Sequence, residues 1–440
     1  MKSMTLKAML GCAAAALLCT ATMAQADMYL PPFYAAATQM KPEGKLGQIV
    51  RKEKIPTAIA NAQAWRIAYV SSDMTGKKTI VTGIVISPKG PAPKDGRPIM
   101  SWAHGTTGTA QNCGPSQVGN PTAPLNEYFL MSGNAWTDYG VPAIQEFIKA
   151  GYVVVATDYQ GLGGGGKHQY QLAVTQAHDT IDAVRAAGSL KATGAGKTAI
   201  LYGWSQGGSA VTAAASAPDY INQKGTAYDG ITIAGVVAMA PPDFKTLTPP
   251  GGLTDANAPI MMANIAKSFS ASLPNFTHFT MTLWGAQAAF PDTLKLSDAL
   301  TDEGVKAVET IMRNKCVHGS ADAFNYAYGD QFATLIKPTI GNAKAWGQAL
   351  IDSAGTNVKP VAPVIIYWGT KDIVAPPIMH KIYREEMCKM GGNVARVQLA
   401  GEKTHFATPG ASQPLYLPWI ADRLAGKPAP NGCLAEQIQN

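Results

Sequence analysis

Ser205 stands at the centre of Gly203-Trp204-Ser205-Gln206-Gly207, between an apolar run from Thr198 to Tyr202 and a small-residue stretch from Gly208 to Ala217. Strand, tight turn and helix in that order are the context of a nucleophile elbow, where a strained turn lifts the serine hydroxyl into the open. Glycines suit such a turn because the following helix packs close to it. A serine hydroxyl needs a general base, and the base needs a carboxylate to orient it and stabilise its charged form. Asp372 ends Trp368-Gly369-Thr370-Lys371-Asp372, just past a second apolar run, Pro363 to Tyr367. That places it at the carboxyl end of a strand, where catalytic groups gather in open α/β sheets. The plainer reading is a turn aspartate that caps the helix starting near Pro376-Pro377. Asp243, in Pro241-Pro242-Asp243-Phe244 after the run Val236 to Ala240, is the rival acid. Asp372 is preferred because its short loop faces the same sheet edge as the elbow. Of seven histidines, His405 follows the β-like run Val394 to Leu399 and precedes the final helix, where a base is expected. His178 and His380 read as helix-face residues, while His278 and His318 fall in an inserted region.

Serine, acid and histidine in this chain order are those of an α/β-hydrolase. In that fold one oxyanion donor is the N–H after the nucleophile, and the other comes from the loop after the third core strand. The run Pro98 to Trp102 is followed by His104-Gly105-Thr106-Thr107-Gly108, which assigns the backbone N–H groups of Thr106 and Gln206 as donors. Gln206 also opens a helix, where negative charge is favoured. Each donor is worth on the order of 3 kcal/mol to the transition state.

His104-Gly105-Thr106-Thr107-Gly108 followed by Cys113-Gly114-Pro115-Ser116 resembles the secretory lipase family, which includes the fungal lipase A enzymes. Ala156-Thr157-Asp158-Tyr159-Gln160-Gly161-Leu162-Gly163, the Gly-Trp-Ser-Gln-Gly-Gly elbow and the opening Pro32-Phe33-Tyr34 are similar too. The resemblance spans most of the chain apart from about Lys245 to Lys359. It implies carboxylic ester hydrolysis by a triad at Ser205, Asp372 and His405 beneath a helical lid. Fungal members often carry a different loop in place of His-Gly-Thr-Thr-Gly, so Thr106 rests more on its position after a strand. Four cysteines outside the leader, Cys113, Cys316, Cys388 and Cys433, allow three pairings that spacing does not separate. The resemblance favours Cys113–Cys316 and Cys388–Cys433.

Composition fits a large core: 46% of the 440 residues are hydrophobic and 15% charged, which argues against extensive disorder. Lys2 and Lys7, the apolar stretch Ala8 to Leu18 and Ala24-Gln25-Ala26 read as a secretory signal peptide over residues 1–26, too short for a membrane span. Removing it takes two lysines and no acid from 36 basic and 29 acidic residues, leaving 34 − 29 = +5. Without long Lys/Arg runs, no nucleic-acid partner is indicated. The expected location is secreted or periplasmic, with disulfides. The chain has no C-x₂-C or H-x₃-H pair, so no metal site is expected. Gly161 to Gly166 match G-x-G-x-x-G after a strand, but no βαβ unit closes on an acidic residue, so no dinucleotide is expected. A flexible rim to the active site suits those glycines better.

Trp65 to Tyr69 and Thr79 to Ser87 read as paired edge strands. Strands at 98–102, 152–157, 198–202, 232–240, 363–368 and 394–399 then alternate with helices at 142–150, 172–187, 207–217, 377–390 and 413–425. The pattern implies a mostly parallel sheet covered by helices on both faces. The core spans 27–244 and 360–440, interrupted by an insertion over 245–359. Helices are expected there at Ala258–Ser272, Leu296–Lys315 and Ala343–Ala354, too much chain for a loop and best read as a cap. Met261, Met262, Phe269, Phe276, Met281, Trp284 and Phe290 supply its apolar groups, most for packing and a minority for an acyl-binding cavity.

The expectation is a cofactor-free serine ester hydrolase, lipase or carboxylesterase, acting on small-molecule or lipid esters, with the cap as its contact to a lipid interface. The alternatives are an exported serine peptidase of the same fold and a non-catalytic binding protein on this scaffold. No amine-anchoring acidic pair in the cap favours the first, and the intact Ser-Asp-His set argues against the second.

Overall fold

The computed structural model describes residues 29–128, 131, 133–355 and 357–439; the signal peptide expected over 1–26 lies outside them. Ten strands form one sheet: β1 (Ile49–Ile55), β2 (Ala62–Ser72), β3 (Lys78–Pro88), β4 (Arg97–Ala103), β5 (Val153–Thr157), β6 (Ala195–Trp204), β7 (Thr232–Met239), β8 (Val364–Trp368), β9 (Val394–Gln398) and β10 (Gln437–Ile438). Their spatial order is β1-β2-β3-β5-β4-β6-β7-β8-β9-β10. The first three are antiparallel, β5 runs antiparallel to β3, and every later neighbour is parallel.

Parallel strands read as nearly continuous apolar runs because helices cover both faces of the sheet. Successive residues still alternate between two cores. Ala199, Leu201, Val364 and Ile366 join the core under the helices Ala173–Ser189, Gln206–Ala215 and Pro377–Lys389. Ile200, Tyr202, Ile365 and Tyr367 face the other side, with Phe147, Tyr416 and Ile420 from the helices Ile144–Lys149 and Thr408–Leu424. This is the expected mostly parallel α/β sheet. β2 and β3 pair as predicted, but they are not the edge. β1, whose exposed Arg51, Lys52, Glu53 and Lys54 carry no apolar alternation, lies outside β2.

Between β7 and β8 five helices of 11 to 17 residues, Ala258–Phe269, Leu273–Ala289, Asp302–Asn314, Val317–Tyr328 and Ala343–Ser353, build a separate core around Met262, Phe276, Trp284, Phe324 and Trp346. Two of the five went unpredicted. Leu273–Ala289 is buried on most of its circumference, so it carries no single apolar stripe to read. The stretch expected as one helix, Leu296–Lys315, is interrupted at Leu300 and restarts where the Thr301 hydroxyl accepts from Gly304 N at 3.1 Å. Disulfides join Cys113 to Cys316 and Cys388 to Cys433.

The glycine run 161–166 is not a rim of the serine site. A Cβ on Gly164 would lie 2.0 Å from Ile80 O, and one on Gly161 would meet the backbone of His168 at 2.3 Å. Gly164 lets the chain pack against β3, and Gly164, Gly165 and Gly166 line a different cavity together with Thr38 and Lys77. Among the described residues no helix is long and apolar enough to cross a membrane.

Candidate active site

Sheet register decides which loops can meet. Ala103 pairs with Gly203 and Trp204 with Met239, while Trp368 pairs with Gln398. The loops after β4, β6, β8 and β9 therefore leave the same edge within a few strands of one another. Ser205 sits at the tip of the β6 turn with φ 55° and ψ −120°, a left-handed backbone that costs a non-glycine residue about 1–3 kcal/mol. The flanking glycines are obligatory. A Cβ on Gly207 would lie 1.9 Å from Ala103 O, and one on Gly203 would lie 2.2 Å from Gly207 O. Ser205 N donates to Met239 O at 2.9 Å, which ties the turn to β7.

The structure brings His405 and Asp372 together: His405 Nδ1 is 2.8 Å from Asp372 Oδ2, and both side chains are buried. Asp372 also caps its own turn, because Oδ1 accepts from Val374 N at 2.9 Å and from Ala375 N at 2.8 Å. The capping contacts and the contact to His405 thus use the two oxygens of one carboxylate. His405 packs on Trp204, whose Nε1 donates to His405 O at 3.2 Å. His405 Nε2 is buried and has no hydrogen-bond partner among the described residues; it is left free beside the serine turn, without a closed bond to Ser205 Oγ. Asp243 is not brought to a histidine. Its Oδ1 accepts from Lys245 N at 3.0 Å, Oδ2 is buried without a hydrogen-bond partner among the described residues, and burial pushes its carboxyl up to about 6.

The loop after β4 lies against the elbow, since a Cβ on Gly105 would touch the Trp204 ring at 2.6 Å. Neither Thr106 N nor Gln206 N donates to an acceptor among the described residues. The Thr106 hydroxyl is 2.7 Å from Tyr170 OH. The Gln206 side chain is held at 3.2 Å by His168 Nε2, whose Nδ1 bonds Gln160 O at 2.6 Å. Burial pulls His168 down to about 3 and His104 to about 4, so both rings are neutral scaffolding. Asp158 Oδ1 accepts from Ser116 N at 2.9 Å and Oδ2 from the Thr82 hydroxyl at 2.7 Å. That part of the resemblance is structural: it fixes the Cys113 to Ser116 loop. Sequence reasoning missed His168, which no motif marks.

Above Ser205 lies a narrow cavity of about 40 Å³. Phe244, Phe269, Val374, Ala375 and Met379 form its apolar side, and Asn275, His278 and Thr282 enter from one face of the helix Leu273–Ala289. Of the seven apolar insertion residues singled out, Phe269 alone lines this cavity. Met262, Phe276, Met281 and Trp284 are buried in the insertion's own core.

Residues 129–407 match the alpha/beta hydrolase fold family, and the chain belongs to it. Relatives include Lipase 9 of Candida albicans, 24% identical over 423 residues, covering 92% of this chain and 84% of that protein. The secreted triacylglycerol lipase LIP2 of Malassezia globosa is 23% identical, with 93% and 84% covered. Among solved structures, Candida antarctica lipase A superposes with a TM-score of 0.68 at 18% identity, covering 93% of this chain and 89% of that one. The rice cell wall degrading esterase LipA of Xanthomonas oryzae gives 0.62 at 16%, covering 87% and 100%. The resemblance to secretory, lipase A-like enzymes is borne out.

Proposed function

We propose that this chain is an exported serine hydrolase that cleaves carboxylic esters through an acyl-enzyme intermediate. The observation that carries the reading is the buried 2.8 Å contact between His405 Nδ1 and Asp372 Oδ2 beside a serine held at positive φ on a nucleophile turn. Ser205 Oγ attacks the ester carbonyl while His405 Nε2 takes its proton. The same nitrogen returns the proton to the departing alcohol, and water then repeats the sequence on the acyl-enzyme. Asp372 keeps the second imidazole proton on Nδ1, so that Nε2 is bare for this work. The free N–H groups of Thr106 and Gln206 receive the developing oxyanion. Such a bond between serine and histidine is often open without substrate and closes in the reacting complex.

The insertion acts as a cap. Acyl-binding pockets run to roughly 300 Å³ and more, far above the 40 Å³ over Ser205, so helices near Phe269 and His278 shift for an ester to enter. A contact of this cap with lipid interfaces belongs to the same reading. The test is labelling by a fluorophosphonate together with turnover of p-nitrophenyl esters from C2 to C16. Wild type should label and turn over, and Ser205→Ala should do neither. Labelling that persists in Ser205→Ala would place the nucleophile elsewhere.

A further inference from the structure

The helix Leu273–Ala289 is buried on most of its circumference, and the face it turns toward Ser205 is polar. Asn275, His278 and Thr282, spaced three and four residues apart, share one side of the helix and all line the Ser205 cavity. Each keeps hydrogen-bonding capacity in hand. His278 Nδ1 bonds the carbonyl of Pro274 at 2.7 Å; a carbonyl only accepts, so the proton sits on Nδ1 and Nε2 is a bare acceptor. Thr282 spends its hydroxyl proton on His278 O at 2.9 Å, leaving oxygen lone pairs. The Asn275 side-chain amide has no partner among the described residues. Apart from Tyr170, Gln171 and Ser205, the rest of the lining, which includes Phe244, Phe269, Val374, Ala375 and Met379, is apolar. A cavity meant only for hydrocarbon would leave those polar atoms unpaired each time substrate displaced water, at a cost of about 1–3 kcal/mol per group.

We propose that Asn275 and His278 form a hydroxyl-recognising subsite for the alcohol part of the ester, so that the preferred substrates are esters of polyhydric alcohols that keep a free hydroxyl. The inference rests on the ester-hydrolase reading above and adds the substrate class. The alcohol side follows from chemistry: the hydrocarbon of an acyl chain has no donor for these atoms, whereas a polyhydric alcohol next to the Ser205 carbonyl site does, and His278 lines the same cavity as Ser205. His278 Nε2, left over by the Nδ1 contact to Pro274 O, then accepts a hydrogen bond from a substrate hydroxyl, while the Asn275 amide both donates and accepts. The acyl chain is left to the apolar wall.

The experiment compares kcat/KM for glycerol 1-monobutyrate and n-propyl butyrate, which share an acyl group and a three-carbon alcohol and differ in two hydroxyls. Wild type should favour the glycerol ester. His278→Phe and Asn275→Leu should each lower the ratio about three- to tenfold, the equivalent of one hydrogen bond, and His278→Gln should restore part of it. Far-ultraviolet circular dichroism melts confirm that the variants are folded. A wild-type ratio at or below one, or a ratio unmoved in both variants, overturns the subsite. So does parallel loss of both esters with a displaced acid limb in the pH profile, which would make His278 a positioning residue for His405. p-Nitrophenyl butyrate separates the two levels of inference: its hydrolysis with a flat ratio sinks the subsite alone, whereas no hydrolysis of any of the three esters sinks the ester-hydrolase reading.

Discussion

Asp372→Asn tests the proposed machinery most sharply, because the structure dictates how the amide must sit. Oδ1 of Asp372 accepts from two backbone N–H groups, those of Val374 and Ala375. In the variant the carbonyl oxygen keeps that place, since an NH₂ there would face two donors. The amide nitrogen is then forced toward His405 Nδ1, where it donates. His405 Nδ1 must now accept, and the ring proton moves to Nε2, the atom proposed to take the proton from Ser205. The base is in the wrong tautomer while the turn keeps its hydrogen bonds and the fold its stability. An otherwise intact triad with this defect loses about 10⁴-fold in kcat, close to 5.5 kcal/mol at 1.36 kcal/mol per decade. The assay is steady-state hydrolysis of p-nitrophenyl butyrate alongside a thermal melt. Asp243→Asn is the paired control, because Asp243 touches no histidine, and its kcat should stay within a few-fold of wild type. An Asp372→Asn enzyme within tenfold of wild type, or an equal loss in Asp243→Asn, would refute the assignment.

Asp243→Asn carries a second expectation. Burial raises this carboxyl to about 6, above its unfolded value near 4, so its ionisation costs the fold stability that is intact below pH 4 and lost as pH rises to 6. The variant should gain on wild type over that window by on the order of 2 kcal/mol, and a pH-independent difference in melting would contradict it. Phe269→Asp should lower kcat/KM on octanoate esters about tenfold more than on acetate, the value of one or two methylenes at roughly 0.8 kcal/mol each. Met262→Asp, fully buried in the insertion core, should instead destabilise the insertion and impair all esters alike; equal behaviour of the two variants would erase the distinction. Peptide mapping without reduction should recover Cys113 with Cys316 and Cys388 with Cys433. Replacing the latter pair, which closes a 45-residue separation, should cost about 4 kcal/mol; an unchanged melt would refute that magnitude.

The alternating core was legible because each of its strands is an apolar run bounded by turn residues, and register then brings Ser205, Asp372 and His405 to one edge without further information. Less was legible where burial is complete or absent. β1 has no apolar face to announce it. Leu273–Ala289 has apolar residues on nearly every side, which hides its helical period. The final helix begins at Thr408 rather than near 413 and runs through Pro414 and Pro418, residues that read as helix breakers. His278 shares helical spacing with Asn275 and Thr282, but Thr277 and Thr280 are polar as well, so nothing in the sequence says which polar face turns to Ser205. His168 had none, because its role exists only through the Gln206 side chain it meets.

The Cys113–Cys316 bond has a consequence for the order in which the protein matures. Its partners are separated by 203 positions, and the segments they join are further knit by Val317 N donating to Thr107 O at 2.9 Å and the Thr109 hydroxyl to Met312 O at 2.7 Å. The loop that carries Thr106 is thus finished by a segment synthesised long after it. The elbow, by contrast, is held by Ala103 and Met239, both of which precede the insertion in the chain. A nascent or still-reduced chain would hold its nucleophile early but lack a closure worth about 5 kcal/mol at the loop proposed to receive the oxyanion. Hydrolytic competence would then arrive last, with thiol oxidation, protecting the esters of the compartment in which the chain is made.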